Sequence, residues 1–432
     1  MQALLKPGVR LREVLGWAFY DFANSGYTTV VITAVYSTYF VSTIAAGTHW
    51  ATLAWTLALS ASYAWVMFTM PILGAWADRH ASKKRLLMLA TWACVLSTIA
   101  LTGAGPGEWW LAWILVFLSN VFYSYGESLS GAFLPELAQP EAMGRVSGWA
   151  WAWGYLGGML TLGLCLAYVL WAQSLGQTAS QFVPVTLWIT AAMYIGASGF
   201  TFVWLHERGQ PPTVHRHAVA SPARKHWQQW LQTWRESKAI PDFRWLMASA
   251  VAYQAGVAVA IALAAIYAEQ VMGFQTQQTM LLIFVLNVAA LLGALIFGYV
   301  QDAWGHRRTL SMTLWGWIIT CIWAAASQTQ AHFWGAAAIA GLCLGSSQSA
   351  GRAMAGMMIP AKKLAEYFGL WTVAIRLASI LGPLSYGLIT WLSGGNHRLA
   401  IVCVTGFFVM GLLLLRRVNV HQGQIDASRL GH

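Results

Sequence analysis

The stretch GAWADRHASKKRLL, residues 74–87, returns in the second half of the chain as GYVQDAWGHRRTL, residues 298–310. Each copy has a glycine, an aspartate four residues later, and a pair of basic residues after a short turn. The glycine allows two helices to approach closely, and the aspartate can cap a helix end or pair with the basic residues that follow. Because the copies lie about half the chain apart, they predict two equivalent halves.

Both copies follow long apolar segments, in a composition that is typical of a membrane protein. Only 9% of the 432 residues are charged and 58% are hydrophobic, whereas soluble domains carry about 25% charged residues. So little charge cannot make a water-exposed surface, and lipid is therefore expected to cover much of the protein. The 26 Trp and 15 Tyr residues fit two aromatic belts at the membrane interfaces.

A helix that crosses a bilayer needs about 20 mostly apolar residues, and the sequence contains twelve such segments. We predict spans at 14–40, 51–76, 86–104, 109–134, 147–172, 183–205, 245–270, 278–300, 309–327, 332–352, 366–392 and 398–415. With both termini in the cytoplasm, every Lys and Arg except Arg376 and Arg398 lies on a cytoplasmic segment or its edge, as the positive-inside rule requires. The same rule explains the net charge of +11, so we expect no nucleic-acid partner.

These spans predict an all-α polytopic membrane protein with twelve transmembrane helices in two six-helix bundles, over residues 1–205 and 245–432. Residues 206–244 form the longest cytoplasmic segment and have the composition of a linker. Within this segment one helical face is apolar and consists of Trp227, Trp230, Leu231 and Trp234. This face predicts an amphipathic helix that lies on the membrane surface or packs on the protein itself.

Longer stretches narrow the comparison to one family. They are WAFYDFANSGYTTVV (17–31), GRVSGWAWAWGYLGG (144–158), GSSQSAGRAMAGMMIPAKKLAEYFGLW (345–371) and RLASILGPLSYG (376–387). Together with the paired loops they resemble the vacuole effluxer-like branch of the major facilitator superfamily. This resemblance implies two bundles that rock around a central cavity, and a secondary transporter of an amino acid, a short peptide or another small polar metabolite. Many relatives carry an aspartate before the glycine of span seven, whereas in this chain Gln254 precedes Ala255 and Gly256, so a proton-linked role of that aspartate does not carry over.

Polar residues in span one are candidates for the transport site. A charge at membrane depth costs several kcal/mol unless it is paired, hydrated or protonated. Asp21 shares one helical face with Asn24, Ser25 and Thr28, because residues three, four and seven positions apart lie on the same side of a helix. The stripe is either a wall of the central cavity or a capping and helix-packing cluster.

Spans four and eleven supply further charged candidates, Glu127 at a depth similar to that of Asp21 and Arg376 near the bilayer midplane. Glu127, with Tyr123 on its face, forms a proton or cation relay with Asp21 or, alternatively, a hydrogen-bonded contact between helices. Arg376 lies deep within span eleven. Its guanidinium group is expected to bind a substrate carboxylate in one state and one of these acids in another, or to form a fixed ion pair between the bundles.

Two further polar residues are weaker candidates. Gln254 contacts substrate or forms a hydrogen bond between helices. Arg352 lies at the cytoplasmic end of span ten and is expected to anchor the membrane boundary.

Charges beside the paired loops are candidates for a gate. We expect a loop network at Arg145, after span four, and local pairs of Asp78 with Lys84 and Arg85 and of Asp302 with Arg307 and Arg308. If these pairs keep the cytoplasmic side closed, their rupture accompanies alternating access.

The sequence carries no catalytic, cofactor or metal signature. It lacks GxxxxGK[ST], GxSxG and HExxH motifs, and its histidines do not have the spacing of metal ligands. We therefore expect neither an enzyme nor a bound cofactor or metal, but a monomer in the bacterial inner membrane with a small-molecule substrate and protons as a candidate coupling ion. The alternatives are a transport-inactive sensor or assembly protein that retains the fold, and a carrier of lipid-like or aromatic compounds.

Overall fold

The computed structural model describes residues 4–46, 50–208, 231–274, 276–394 and 396–431. These residues are helical nearly throughout, and their β contact is a single bridge between Leu5 and Ala138. The long helices are α1 Leu11–Tyr27, α2 Ala51–Arg79, α3 Lys83–Ala100, α4 Trp109–Gly131, α5 Met143–Ser174, α6 Ala179–Trp204, α7 Pro241–Gln270, α8 Thr276–Trp304, α9 His306–Ala326, α10 Gln330–Met357, α11 Leu364–Leu392 and α12 His397–Leu415. A shorter helix, α13 Val420–Gly431, follows.

Helices α1 to α12 overlap the twelve predicted spans in order. In the described part of the chain, nine helices are long and apolar enough to cross a membrane. Helices α1, α4 and α10 do not meet these requirements. They carry Asp21, Glu127 and Arg352 respectively, whereas α11, which carries Arg376, meets these requirements.

The first predicted span continues beyond the end of α1 in wider helical turns. Beyond Tyr27 the chain continues as π-helical turns at Thr28–Ala34 and Phe40–Ile44, with a short α-helical turn at Tyr36–Tyr39 between them. Such wide turns are uncommon and occur frequently at functional sites. They begin seven residues after Asp21 and continue the helix away from it.

The two halves meet through close helix crossings. Helix α2 packs against α11, and α5 against α8. Gly74 lies against the backbone of Ala365, and Gly148 lies against the backbone of Ala294. A Cβ atom at either glycine would collide with that backbone, so the absence of a side chain is what allows these crossings.

Both crossings lie at one end of the protein, which we call the repeat-loop face because the α2–α3 loop (80–82) and the α8–α9 loop (residue 305) lie there. Among the described residues, every hydrogen bond between the halves is made near this end. The farthest belongs to Arg376, about 18 Å along α11 from its first residue. The structure is therefore closed at the repeat-loop face.

Most of the predicted linker, including Trp227 and Trp230, lies outside the described residues. Residues 231–236 are helical. Within them the Thr233 hydroxyl donates a hydrogen bond to the Glu366 carboxylate. This end of the linker is thus attached to the start of α11.

Candidate functional site

A small cavity lies between the halves, enclosed by α1, α4, α5, α10 and α11. Its polar lining includes Asp21, Asn24, Ser25, Tyr123, Glu127, Gln348, Arg352 and Arg376. The cavity volume is about 80 Å³, whereas small-molecule sites measure roughly 300–1,000 Å³. It is small because ion pairs cross it, and a larger ligand requires these pairs to separate.

The first ion pair joins Asp21 of α1 to Arg352 of α10. Arg352 Nη1 donates to Asp21 Oδ2 at 2.5 Å, and only 11% and 13% of the two side chains are exposed. Arg352 Nε and Nη2 donate to the hydroxyl and the carbonyl of Ser147, at 3.1 and 3.0 Å. The guanidinium carbon also lies 4.9 and 5.2 Å from the ring centres of Trp17 and Trp151, a cation–π geometry. All three nitrogens of Arg352 therefore have partners in the first half of the chain.

The second ion pair joins Glu127 of α4 to Arg376 of α11 and is less complete. Arg376 Nη2 donates to Glu127 Oε2, while Arg376 Nε is buried without a partner in the described residues. The guanidinium lies over the rings of Tyr63 and Tyr123, at 5.1 and 5.8 Å from their centres. The Arg376 side chain is 8% exposed, whereas that of Glu127 is 37% exposed. This pair leaves a buried donor and an accessible carboxylate for a ligand.

The charges in the cavity are divided between the halves. Both carboxylates, Asp21 and Glu127, come from the first half, and both guanidinium groups come from the second. Breaking a buried ion pair by removing one partner costs about 3–5 kcal/mol, because the other charge is left without compensation. The halves can therefore separate here only if water or a ligand replaces the lost partners.

The other predicted site residues have different surroundings. Ser25 and Tyr123 line the cavity, and Tyr123 stacks on Tyr27 with ring centres 5.2 Å apart. Gln254 is buried and exchanges hydrogen bonds with Gln348, at 2.8 and 3.3 Å. Gln348 is the member of this pair that lines the cavity, so Gln254 reaches the site only through its partner.

At the repeat-loop face, Asp78 caps a helix of the other half. Its carboxylate accepts hydrogen bonds from the backbone N–H groups of Ala365 and Glu366, at 3.1 and 2.9 Å, at the positive end of the α11 dipole. The expected local pairs with Lys84 and Arg85 do not form. Lys84 Nζ instead donates to a backbone carbonyl at the end of α6, at 2.6 Å, and Arg85 is exposed.

Asp302 occupies the equivalent position in the second half. It accepts from the backbone N–H groups of Gly144 and Arg145, at 2.9 and 3.0 Å, and from Arg145 Nε at 2.7 Å. The expected pairs with Arg307 and Arg308 are also wrong. Arg307 donates to backbone carbonyls that follow α12, the nearest at 3.1 Å, and Arg308 is exposed. The aspartates reach across because a helix N-terminus offers two oriented donors.

The comparisons with known proteins agree with this architecture. Residues 50–428 match the family model described as "Vacuole effluxer Atg22 like". The chain belongs to this Atg22-like family.

This Atg22-like protein is similar to two further relatives in sequence and to solved structures in fold. The chain is 27% identical over 409 residues to an uncharacterized MFS-type transporter, YxiO, of Bacillus subtilis, and the alignment covers 92% of this chain and 93% of the relative. It is 23% identical over 300 residues to autophagy-related protein 22-1 of Aspergillus niger, covering 64% of this chain but only 47% of that longer protein. The human organic anion transporter MFSD10 superposes with a TM-score of 0.73 at 14% identity, covering 94% and 99% of the two chains. The predicted major facilitator fold of a multi-pass membrane protein is thereby confirmed.

Arg352 of the Atg22-like chain lies in a different place from the one expected from the sequence. The expectation that Arg352 anchors the membrane boundary is wrong, because its side chain points between the halves and pairs with Asp21. A signal was present in the surrounding stretch GSSQSAGRAMAG (345–356), which is rich in small residues. Small residues mark close helix contacts within a membrane, and a long side chain among them is buried rather than free to reach an interface.

Proposed function

We propose that this protein is a secondary active transporter that moves a small zwitterionic metabolite, an amino acid or a short peptide, by alternating access. The observation that carries the proposal is the pair of ion pairs that bridge the two halves at the central cavity. Family membership supports transport, since a relative over nearly the whole chain is named an MFS-type transporter. The substrate class rests on the chemistry of the cavity.

A zwitterion matches the ion pair between Glu127 and Arg376. Its carboxylate can bind the guanidinium of Arg376, including the unpartnered Nε, as a two-point contact. Its ammonium group can bind the accessible Glu127 carboxylate and the faces of the neighbouring tyrosines. The exchange replaces each charge with a like charge, so it avoids leaving a buried ion uncompensated.

The closed repeat-loop face defines the state of the transporter. Lys and Arg are concentrated on the segments at this face, and the positive-inside rule makes it the cytoplasmic side. The structure then corresponds to a protein that is closed toward the cytoplasm. We assign it to the bacterial inner membrane with both termini in the cytoplasm, acting as a monomer.

We propose that Asp21 and Glu127 also carry the coupling proton. Each carboxylate forms an ion pair with an arginine of the other half and loses this partner when the halves separate. Carboxylates inside membrane-spanning helices serve as proton relays in many pumps and transporters.

Uptake into proteoliposomes tests the proposal. A pool of the twenty L-amino acids and simple dipeptides is supplied with and without an imposed pH gradient, and the lumen is analysed by mass spectrometry. We expect one compound to accumulate, more strongly with the gradient, and Arg376→Gln to abolish its uptake. Arg398→Gln is the matched control, because Arg398 donates to the Ala325 carbonyl and does not line the cavity.

Other outcomes select other functions. Binding of a compound without any flux would identify a sensor or assembly protein that retains the fold. Accumulation of a lipid-like or aromatic compound in place of every amino acid and dipeptide would overturn the proposed substrate class while leaving transport in place.

A further inference from the structure

A buried hydrogen-bond network lies behind α1, on the side away from the cavity. It begins at Asn24, whose side-chain Oδ1 accepts a hydrogen bond from the hydroxyl of Tyr194 on α6. The Tyr194 hydroxyl is 3.5 Å from that of Tyr20, which is 3.1 Å from Thr91 Oγ1 on α3. All four residues are at most 5% exposed.

The protons of this network can be assigned one after another. Thr91 Oγ1 donates to the Leu87 carbonyl at 2.8 Å, so it must accept the proton of Tyr20 in their contact. The proton of Tyr20 is then used, and that of Tyr194 is directed to Asn24 Oδ1. An amide that accepts through its oxygen on one side presents its NH2 group on the other.

The NH2 group of Asn24 is left for the cavity. Asn24 lines the cavity, and among the described residues the one hydrogen bond of its side chain is the one that Oδ1 accepts from Tyr194. We propose that this NH2 group donates a hydrogen bond to the carboxylate of the substrate, and that Tyr194 is the positioning residue that holds the amide in this orientation. The inference rests on the proposed function and extends it to a specificity-determining contact.

The orientation of this amide decides what the α1 wall recognises. When the NH2 group of Asn24 faces the cavity, α1 offers a second hydrogen-bond donor beside Arg376 Nε. A substrate oxygen can then accept from both. If the amide were turned by 180°, its carbonyl would face the cavity and would suit an ammonium group instead. Tyr194 thereby determines which end of a zwitterion binds on the Asn24 side.

Hydrogen exchange at the Asn24 amide tests the orientation without reference to transport. The chain has five asparagines, so selective 15N-asparagine labelling gives few side-chain NH2 signals, and loss of one signal in Asn24→Asp assigns the group. In the wild-type protein in nanodiscs, we expect the Asn24 NH2 protons to exchange with D2O as cavity-exposed protons do. Strong protection from exchange would show that the NH2 group faces Tyr194 and would overturn the inference.

Uptake kinetics test the recognition. Tyr194→Phe removes the hydroxyl but keeps the ring, and we expect it to raise KM about tenfold with Vmax nearly unchanged. Tyr267→Phe is the matched control, because it also removes a buried tyrosine hydroxyl, which donates to the Ala324 carbonyl at 3.0 Å, away from the cavity. Equal KM values in the two variants would overturn the positioning role.

The two measurements separate the possible failures. Absence of uptake of every compound by the wild-type protein would refute the proposed function, whereas the exchange experiment would still decide the orientation of Asn24. Normal uptake with a protected NH2 group would refute the inference alone.

Discussion

Asp21 and Arg352 are separated by 331 positions in the chain and are joined by a 2.5 Å contact across the interface between the halves. One member belongs to the first long helix and the other to the tenth. The contact joins the halves in the state that is closed at the repeat-loop face, and under the proposed alternating access it breaks when the halves separate.

Removal of one member of this pair should destabilise the protein more than removal of both. Asp21→Asn leaves the guanidinium of Arg352 buried without its counter-ion, and we expect a loss of about 3–5 kcal/mol of stability. In Asp21→Asn/Arg352→Gln no net charge remains, and much of the loss should be recovered. Thermal unfolding in detergent, analysed as a double-mutant cycle, measures the coupling. Additive effects of the two substitutions would show that the pair contributes nothing to the closed state.

Substrate binding should require the planar guanidinium group of Arg376 in addition to its positive charge. Arg376→Lys retains a positive charge but replaces the guanidinium with a single ammonium group, which cannot make a two-point contact with a carboxylate. We expect KM for the transported compound to rise at least about tenfold. Uptake assays over a substrate concentration series measure this change. A wild-type KM in Arg376→Lys would indicate that Arg376 acts only as a fixed charge.

A side chain at Gly148 should open the repeat-loop face. Valine at this position would collide with the backbone of α8 at Ala294, so the closed crossing of α5 and α8 should become unfavourable. Thr372 of α11 also lines the cavity, and the measurement is alkylation of Thr372→Cys by a membrane-impermeant reagent applied from the repeat-loop face. A Cys403→Ser background is used because Cys403 is an exposed thiol. We expect faster labelling in Gly148→Val.

Gly163→Val is the control for this substitution. Gly163 lies on the same helix, and no heavy atom lies within 4 Å of the position that a Cβ atom would occupy there, so valine should leave the labelling rate unchanged. Equal rates in the two variants would show that the crossing at Gly148 does not limit opening.

The two aspartate caps should differ in strength. Asp302 accepts two backbone N–H groups and Arg145 Nε, whereas Asp78 accepts two backbone N–H groups. Asp302→Asn should therefore accelerate labelling of the cavity cysteine more than Asp78→Asn. Arg145 pairs with the Asp302 carboxylate, so this contact is already lost in Asp302→Asn. Arg145→Gln should therefore increase the labelling rate little further in the Asp302→Asn background. A larger effect of Asp78→Asn would reverse this order and make the α2–α11 cap the dominant closing contact.

Some features of the site could be predicted from the sequence and others could not. The presence of Asp21, Glu127 and Arg376 inside apolar spans could be read directly, because an intramembrane charge is conspicuous. The pairing of Glu127 with Arg376 was one of several open alternatives, and the structure shows that contact. The role of Tyr194 left no signal, because a tyrosine in an apolar helix resembles an ordinary packing residue.

The sequence by itself determined the membrane location, the helix order and the presence of two related halves. These are local properties, since hydropathy and helix length depend on residues that are neighbours in the chain. Only the tertiary structure decided the contacts across the halves, such as that between Asp78 and the start of α11, 287 positions away. A charged residue can pair with any opposite charge or free N–H group of suitable geometry, and only the packing of the helices brings one of them within hydrogen-bond distance.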